Sequence, residues 1–413
     1  MERVVDVYLA IEGEDVQVGR LWTRARSGRE SASFEYDEGW LGRRDAFALD
    51  PELPLGGGQF HTERPLFNAF TDPVPDRWGQ TLLRRNERVR ARVEGRAPRT
   101  LLAIDMLALV DDETRLGALR VRGPDGGAFL TTGRNRVPPL VELPRLLRAT
   151  NRVIEDKETD DDLALLLDPG TSLGGARPKA SVRNPDGRLA VAKFSSPKDD
   201  WPVIRWEAAT LAMAEAARIV VPQRQLATVL KKPVLIIERF DRRGAARRPY
   251  MSALTAMAAR DGETRSYLEL ADVLRSTGAA PARDLEELWR RIVFNVLVSN
   301  VDDHLRNHGF LHEPGGWRLA PAFDLNPVPI DVRPRVHALA IDEEDQSAPL
   351  ERVLAIAPSF NIKAPRAREI VREVAAATSR WRGIAGEHGL TSRQIDRMAT
   401  AFEHEDAAAA RTG

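Results

Sequence analysis

The chain has 413 residues, 43% of them apolar and 30% charged, with 61 basic and 61 acidic side chains and no cysteine. That length calls for two or three domains with sizeable cores, and the balanced charge supplies no global field to draw the chain onto nucleic acid. Lack of cysteine excludes disulfides, thiolate zinc sites and thiol nucleophiles together, and apolar stretches such as VLII and IVFNVLV fall far short of the about 18 residues that span a bilayer.

The first predicted elements are strands. MERVVDVYLAIEGED carries charges in and around its apolar run, unlike a signal peptide, so a cytoplasmic chain is expected. VDVYLAIEG, VQVGRLWTR and SASFEYDEGWL alternate and turn like a small antiparallel sheet. PELPLGGG is a loop, FNAFTDPVPDRWGQTLLRRNERVR a loop feeding a basic amphipathic helix, and LLAIDMLALVDDETRLGAL closes a β-rich unit over 1–120. Residues 121–165 read as a Gly- and Pro-rich linker with a connecting helix. Residues 166–250 run through a Gly-rich loop, the strand RLAVAKFS, the helix VIRWEAATLAMAEAARI and the strands RQLATVL and PVLIIERF. Residues 251–413 are mainly helical (SYLELADVLRST, RDLEELWRRIVFNVLVSN, two helices between 364 and 404), with a hairpin at HGFLHEPGGWRLA. The fold class is α+β.

SNVDDHLRNHGF gathers Asp302, Asp303, His304, Arg306 and Asn307 where the chain leaves an apolar helix. Phosphoryl transfer needs a carboxylate to orient an attacking hydroxyl and accept its proton, with oxygen ligands for Mg²⁺ nearby. Asp302 and Asn307 show the Asp-x-x-x-x-Asn spacing of protein-kinase catalytic loops, and LAPAFDLNP adds a second carboxylate, Asp324, after the hairpin. Each aspartate taken singly reads as a helix cap or turn residue; the three features in this order favour phosphoryl transfer. His304, His308 and His312 are spaced for zinc on one helical face, but Gly309 and the HGFLH alternation predict strand and turn, which would splay the rings.

Only seven of the basic residues are lysine, so Lys193 inside the apolar AVAKFSS calls for an anionic partner such as a nucleotide phosphate, with Glu207 as its helix support. The alternative is a lysine on the solvent face of an edge strand. In VLIIERFDRR the backbone from Glu238 to Phe240 is predicted to be open to an adenine edge. PGTSLGGARPKASV could cradle phosphate with consecutive N–H groups, although it matches no standard phosphate-loop pattern and reads equally well as a turn.

VYLAIEG, FNAFTDPVPDRWGQTLLRR, SLGGARPKASV, AVAKF, IIERFDRR, NVDDHLRNHGF and APAFDLNPVP occur in one order over most of the chain. In these motifs the sequence resembles the HipA family of bacterial serine/threonine kinases, the toxins of type II toxin–antitoxin systems. The resemblance implies a β-rich N-terminal subdomain on a two-lobed protein-kinase-like core with a mainly helical C-terminal lobe. It implies Asp302 as catalytic base, Asn307 and Asp324 as Mg²⁺ ligands, Lys193 on the ATP phosphates, Glu238 and Phe240 at the adenine, and His304 beside the base. Residues 172–179 would be the phosphate-binding loop, with Leu173, Gly174, Gly175 and Ala176 over the phosphates and Ser172 as the autophosphorylated serine. The implied partners are a protein substrate, in known cases an aminoacyl-tRNA synthetase, and a HipB-like helix-turn-helix antitoxin. DNA would be reached only through that antitoxin, and no membrane is implied. Asp303 stands where close toxin homologues have Gly. Two rival classes are a non-catalytic ATP-binding co-repressor and a small-molecule or lipid kinase on the same scaffold.

Overall fold

The N-terminal alternation builds a sheet. In the computed structural model, which describes residues 2–132, 137–167, 177–342, 346–347 and 349–412, Val5, Val7 and Leu9 of β1 (Glu2–Ile11) are buried together. They meet Val18 and Leu21 of β2 (Glu14–Arg26) and Ala32, Phe34 and Tyr36 of β3 (Arg29–Tyr36). With β4 (Gln59–Thr62) and β5 (Leu119–Arg122) these strands form an antiparallel sheet of order β4-β3-β2-β1-β5. Period-two burial of this kind puts one face on a core and leaves the other to solvent. Trp40, Phe67 and Phe70 complete that core.

Contacts divide the chain into two units: residues 1–197 with 227–251, and residues 198–226 with 252–413. The first unit has a second core. It joins Trp78 and Leu82 of α1 (Arg77–Val93), Leu146 and Leu147 of α2 (Leu143–Ile154) and Leu166 of α3 (Asp160–Leu167). These pack on Ala180 and Val182 of β6 (Lys179–Arg183) and on Ala190, Ala192 and Phe194 of β7 (Leu189–Phe194). With β8 (Arg224–Val229) and β9 (Lys232–Glu238), which adds Val234 and Ile236, the sheet order is β6-β7-β9-β8. Each fully buried apolar side chain contributes roughly 1.5–3 kcal/mol, so α1 and α2 belong energetically to this sheet.

The second unit is mainly helical. In α4 (Val203–Ala216), Trp206 packs near Trp381, which stacks on Phe402 with ring centroids 4.6 Å apart. The helices α5 (Tyr267–Thr277) and α6 (Pro281–Leu297) are followed by a hairpin of β10 (Gly309–Glu313) and β11 (Gly316–Leu319). Gly316 has φ +135°, and a Cβ there would lie 2.3 Å from Thr277 O, so only glycine lets this hairpin approach the end of α5. Four short or medium helices, Ala364–Thr378, Trp381–Glu387, Ser392–Arg397 and Ala399–Phe402, occupy the region where two were predicted. No described helix is long and apolar enough to cross a membrane.

Candidate active site

The helix α6 ends in a Schellman motif made without glycine. Asn300 N donates to Asn295 O at 2.9 Å, Ser299 N reaches Val296 O at 3.4 Å, and Ser299 occupies the left-handed position at φ +52°. Its hydroxyl donates to Ala401 O at 2.9 Å, which helps hold a conformation that usually falls to glycine. This closure brings Asn300 Nδ2 to 3.0 Å from Asn295 Oδ1 and leads into a turn in which Asp302 and His304 are exposed while Val301, Asp303 and Leu305 stay buried.

Within that turn His304 N donates to Asp302 O at 2.9 Å, and a 3₁₀ turn over Leu305–Asn307 follows, with Asn307 N on His304 O at 2.8 Å. Asn307 Nδ2 also donates to Asp302 O, at 3.0 Å, so the two ends of the Asp-x-x-x-x-Asn motif are tied across the turn. The Asp302 carboxylate faces outward, 61% exposed, with Oδ1 3.0 Å from Arg333 Nη1. Its neighbour Asp303 points the other way and is 2% exposed. Asp303 Oδ2 accepts from the Tyr267 hydroxyl and from Asn295 Nδ2 at 2.7 Å, and His308 Nε2 lies 2.9 Å away. Burial works to raise the Asp303 carboxyl, but His308 and these hydrogen bonds outweigh it and hold the group below the usual carboxylate range. Burial beside that carboxylate pushes the Tyr267 hydroxyl well up.

Beyond the hairpin the chain returns to the same helix end, with Val328 N on Ser299 O at 3.1 Å and Ala338 N on Val301 O at 3.0 Å. Asp324, half-buried, has a left-handed backbone at φ +59°. Two residues on, Asn326 N donates to Asn300 Oδ1 at 3.2 Å and Asn326 Nδ2 lies 3.5 Å from Asp324 Oδ1. The donor chemistry suits Mg²⁺, which prefers hard oxygens and usually takes one or two carboxylates with waters and substrate phosphates. Asp324 offers a carboxylate, and Asn307, with Nδ2 on Asp302 O, turns its amide oxygen away from that carbonyl. Among the described residues no cluster of three His, Asp or Glu suited to a metal occurs. His308 meets Asp303, while His312 stands edge-on to Trp317, so these two rings turn to different partners.

In the first unit, Lys193 lies on β7, between β6 and β9, so the edge-strand alternative does not hold. Ala190, Ala192 and Phe194 face the core, which places Lys193 on the opposite face by alternation, still only 8% exposed. Its register partner Lys179 has a different assignment, with Nζ 2.5 Å from Oδ2 of Asp76, the N-cap of α1. The Glu238 to Phe240 backbone is less open than predicted. Arg239 N donates to Leu189 O at 2.9 Å, and Phe240 O accepts from Arg248 Nη1 at 3.3 Å. The Glu238 carboxylate takes Arg188 Nη1 at 2.7 Å. Glu207, fully buried on α4, belongs to the second unit and Lys193 to the first. Ser172, Leu173, Gly174, Gly175 and Ala176 lie outside the described residues.

Sequence reasoning missed the partners of Asp303, namely Tyr267, Asn295 and His308, and the Asn300 and Asn326 links. One signal was present. Asn295 interrupts the apolar run IVFNVLV, and a polar side chain there must find partners inside.

Residues 9–105 match the family model of the HipA N-terminal domain, and residues 171–381 match that of the HipA-like C-terminal domain. Y4mE of Sinorhizobium fredii, a provisional kinase by name, is 26% identical over 335 residues, 74% of this chain and 73% of that protein. HipA of Shewanella oneidensis MR-1, solved in a toxin–antitoxin complex with HipB and its operator DNA, has a TM-score of 0.67 at 16% identity, covering 98% of this chain and 96% of its own. That likeness establishes a common fold. With the C-terminal match alone spanning more than half of its residues, the chain belongs to the HipA family.

Proposed function

We propose that the protein is a Mg²⁺- and ATP-dependent kinase of serine or threonine hydroxyls, acting on a protein substrate and on its own Ser172. The Asp302 turn carries the reading: a solvent-facing carboxylate sits one turn from an amide oxygen donor, and the second carboxylate, Asp324, is moored to the same helix end. In this reading Asp302 orients the acceptor hydroxyl and takes its proton as the new bond to the γ-phosphorus forms and the γ-phosphorus–oxygen bond to the β-phosphate breaks, releasing ADP. Lys193 holds ATP phosphates with Glu207 in support, His304 stands beside them, and the Glu238 to Phe240 segment meets the adenine. Asn307 and Asp324 would hold Mg²⁺, which when bound neutralises charge on the transferred phosphoryl group. Leu173 to Ala176 are assigned to the phosphate loop by the family pattern alone. A HipB-like antitoxin is the proposed partner, supported by the Shewanella complex, with DNA reached only through it.

Incubating wild-type protein and Asp302→Asn with γ-labelled ATP and host lysate, then mapping phosphopeptides, tests the proposal. Wild-type protein should label a lysate protein and Ser172. Asp302→Asn should lose roughly 10²- to 10⁴-fold in transfer rate while ATP binding and thermal unfolding stay nearly unchanged. Wild-type rates in the variant would remove Asp302 from the mechanism. Label confined to lipid or a small molecule would favour the scaffold's other kinase class, and ATP binding without any transfer would favour the co-repressor.

A further inference from the structure

The buried carboxylate beside the proposed base has no role in the chemistry described so far. Asp303 is 2% exposed, and a carboxylate at that depth is costly unless its oxygens are well paired. Three donors from three segments nevertheless converge on its Oδ2: Tyr267 at the start of α5, Asn295 in the last turn of α6 and His308 just before β10. The chain of contacts continues. Asn295 Oδ1 accepts from Asn300 Nδ2 at 3.0 Å, Asn300 Oδ1 accepts from Asn326 N at 3.2 Å, and Asn326 Nδ2 lies 3.5 Å from Asp324 Oδ1. Every side chain in the run from Tyr267 through Asn295 and Asn300 is buried.

From this we infer that Asp303 is a positioning residue that sets the base and the metal-binding carboxylate as one unit. The inference rests on the reading of Asp302 and Asp324 just given. At one end, anchoring Asp303 inward obliges the adjacent Asp302 side chain to face outward. At the other, the Asn295–Asn300–Asn326 relay fixes the backbone next to Asp324, whose left-handed φ is a sparsely populated state that persists only where surroundings over-determine it. Asn300 has a matched duty, since its amide nitrogen serves Asn295 and its oxygen serves Asn326, and no isosteric residue does both. Asp303 does not touch the reacting atoms, so loosening it should leave nucleotide binding largely in place while spoiling alignment.

The test compares Asp303→Asn, Tyr267→Phe and Asn300→Ala with wild-type protein on three readouts: kcat and KM for ATP, Mn²⁺ affinity by electron paramagnetic resonance with a non-hydrolysable ATP analogue, and thermal unfolding. Asp303→Asn should lower kcat by roughly 10- to 100-fold with KM for ATP changed by less than about threefold, because small misplacements cost rate more than binding. Mn²⁺ affinity should fall by roughly 10- to 100-fold in Asp303→Asn and Asn300→Ala, the usual cost of losing an outer-shell support. Tyr267→Phe, which removes one of three donors, should fall between these and wild type, and it carries the test if Asp303→Asn does not fold. Unchanged kcat and unchanged Mn²⁺ affinity in folded variants overturn the inference. So does a loss of kcat with Mn²⁺ affinity intact, which would make Asp303 merely structural. Wild-type protein that transfers no phosphate would instead overturn the kinase reading, and the Mn²⁺ titration would then decide the tie to Asp324 by itself.

Discussion

Asp241 of the first unit and Asp303 of the second are both buried, and they are satisfied in opposite ways. In the first unit Asp241 is held by two arginines: Arg239 Nε at 2.6 Å, Arg242 Nη1 at 2.6 Å, and also Gly117 N at 2.7 Å. The same arginines reach on to backbone carbonyls, Arg239 to Thr114 O at 2.8 Å and Arg242 to Arg115 O at 2.7 Å. Burial works to raise the Asp241 carboxyl and is outweighed by the two cations, while burial pushes Arg242 down to about 9. Asp303, by contrast, has a phenol, an amide and an imidazole. The ionic clamp fastens one stretch of backbone to another. The cluster around Asp303 instead sets the direction of the neighbouring side chain, so the first aspartate should matter for stability and the second for rate.

Removing each charge sharpens that contrast. Asp241→Ala would leave Arg239 and Arg242 buried without a carboxylate, a change that costs about 3–5 kcal/mol. Hydrogen exchange read by mass spectrometry should show faster exchange in peptides from the first unit, with those around Asp303 unaffected. Asp303→Asn keeps an acceptor oxygen and should cost only about 1–3 kcal/mol. Equal losses from the two substitutions would erase the distinction.

The legible part of the molecule was the part written in local pattern. Alternation at Val5, Val7 and Leu9 placed the first sheet, the apolar period placed α6, and the spacing of Asp302 and Asn307 survives as a hydrogen-bonded turn. Less legible was anything settled by partners distant in sequence. Lys179 and Lys193 look alike in the chain, yet Lys179 is occupied by an aspartate 103 residues away. The helix carrying Glu207 follows the lysine strand in sequence, yet it packs with the C-terminal helices of the second unit. Asp303 looked like a second turn aspartate, because nothing local says which of two adjacent carboxylates turns inward.

Acid should separate the units by sign. His337, 1% exposed, is lowered to about 4 by burial first, with Arg335 and Arg333 adding to the effect and Asp303 and Asp406 opposing it. An unfolded histidine titrates near 6.5, so between about 6.5 and 4 the unfolded state holds the extra proton and stability is lost as pH falls, about 2 kcal/mol by pH 5. His404 is lowered in the same direction, and both lie in the second unit. Asp50 in the first unit behaves oppositely. Burial raises it to about 6 against the hydrogen bond from Ala69, so it binds its proton first in the folded state and contributes about 1 kcal/mol as pH falls from 7 to 5. Hydrogen exchange at pH 7 and pH 5, corrected for intrinsic rates, should show the second unit loosening while peptides around Asp50 hold or tighten. His337→Leu should remove about half of the acid loss, the rest staying with His404, which is also lowered to about 4, and uniform loosening of both units would contradict the assignment.

The smallest effect concerns the ion pair between Arg333 and the proposed base. Arg333 Nη1 and Asp302 Oδ1 are 3.0 Å apart, with their side chains 47% and 61% exposed. A pair so exposed is worth about 0.2–1 kcal/mol, too little to hold the fold. It does occupy an oxygen that an acceptor hydroxyl would need. Arg333→Ala should therefore leave thermal unfolding nearly unchanged and, at low ionic strength, raise kcat/KM for the protein acceptor by roughly 1.4- to 5-fold, the rate equivalent of that pair. Salt supplies the discriminating control. At 1 M ionic strength the screening length is about 3 Å, so the pair is already weakened in wild-type protein and the advantage of the variant should shrink towards unity. A variant that instead loses activity at both salt concentrations would show that Arg333 helps to bind the acceptor and does not compete with it for Asp302.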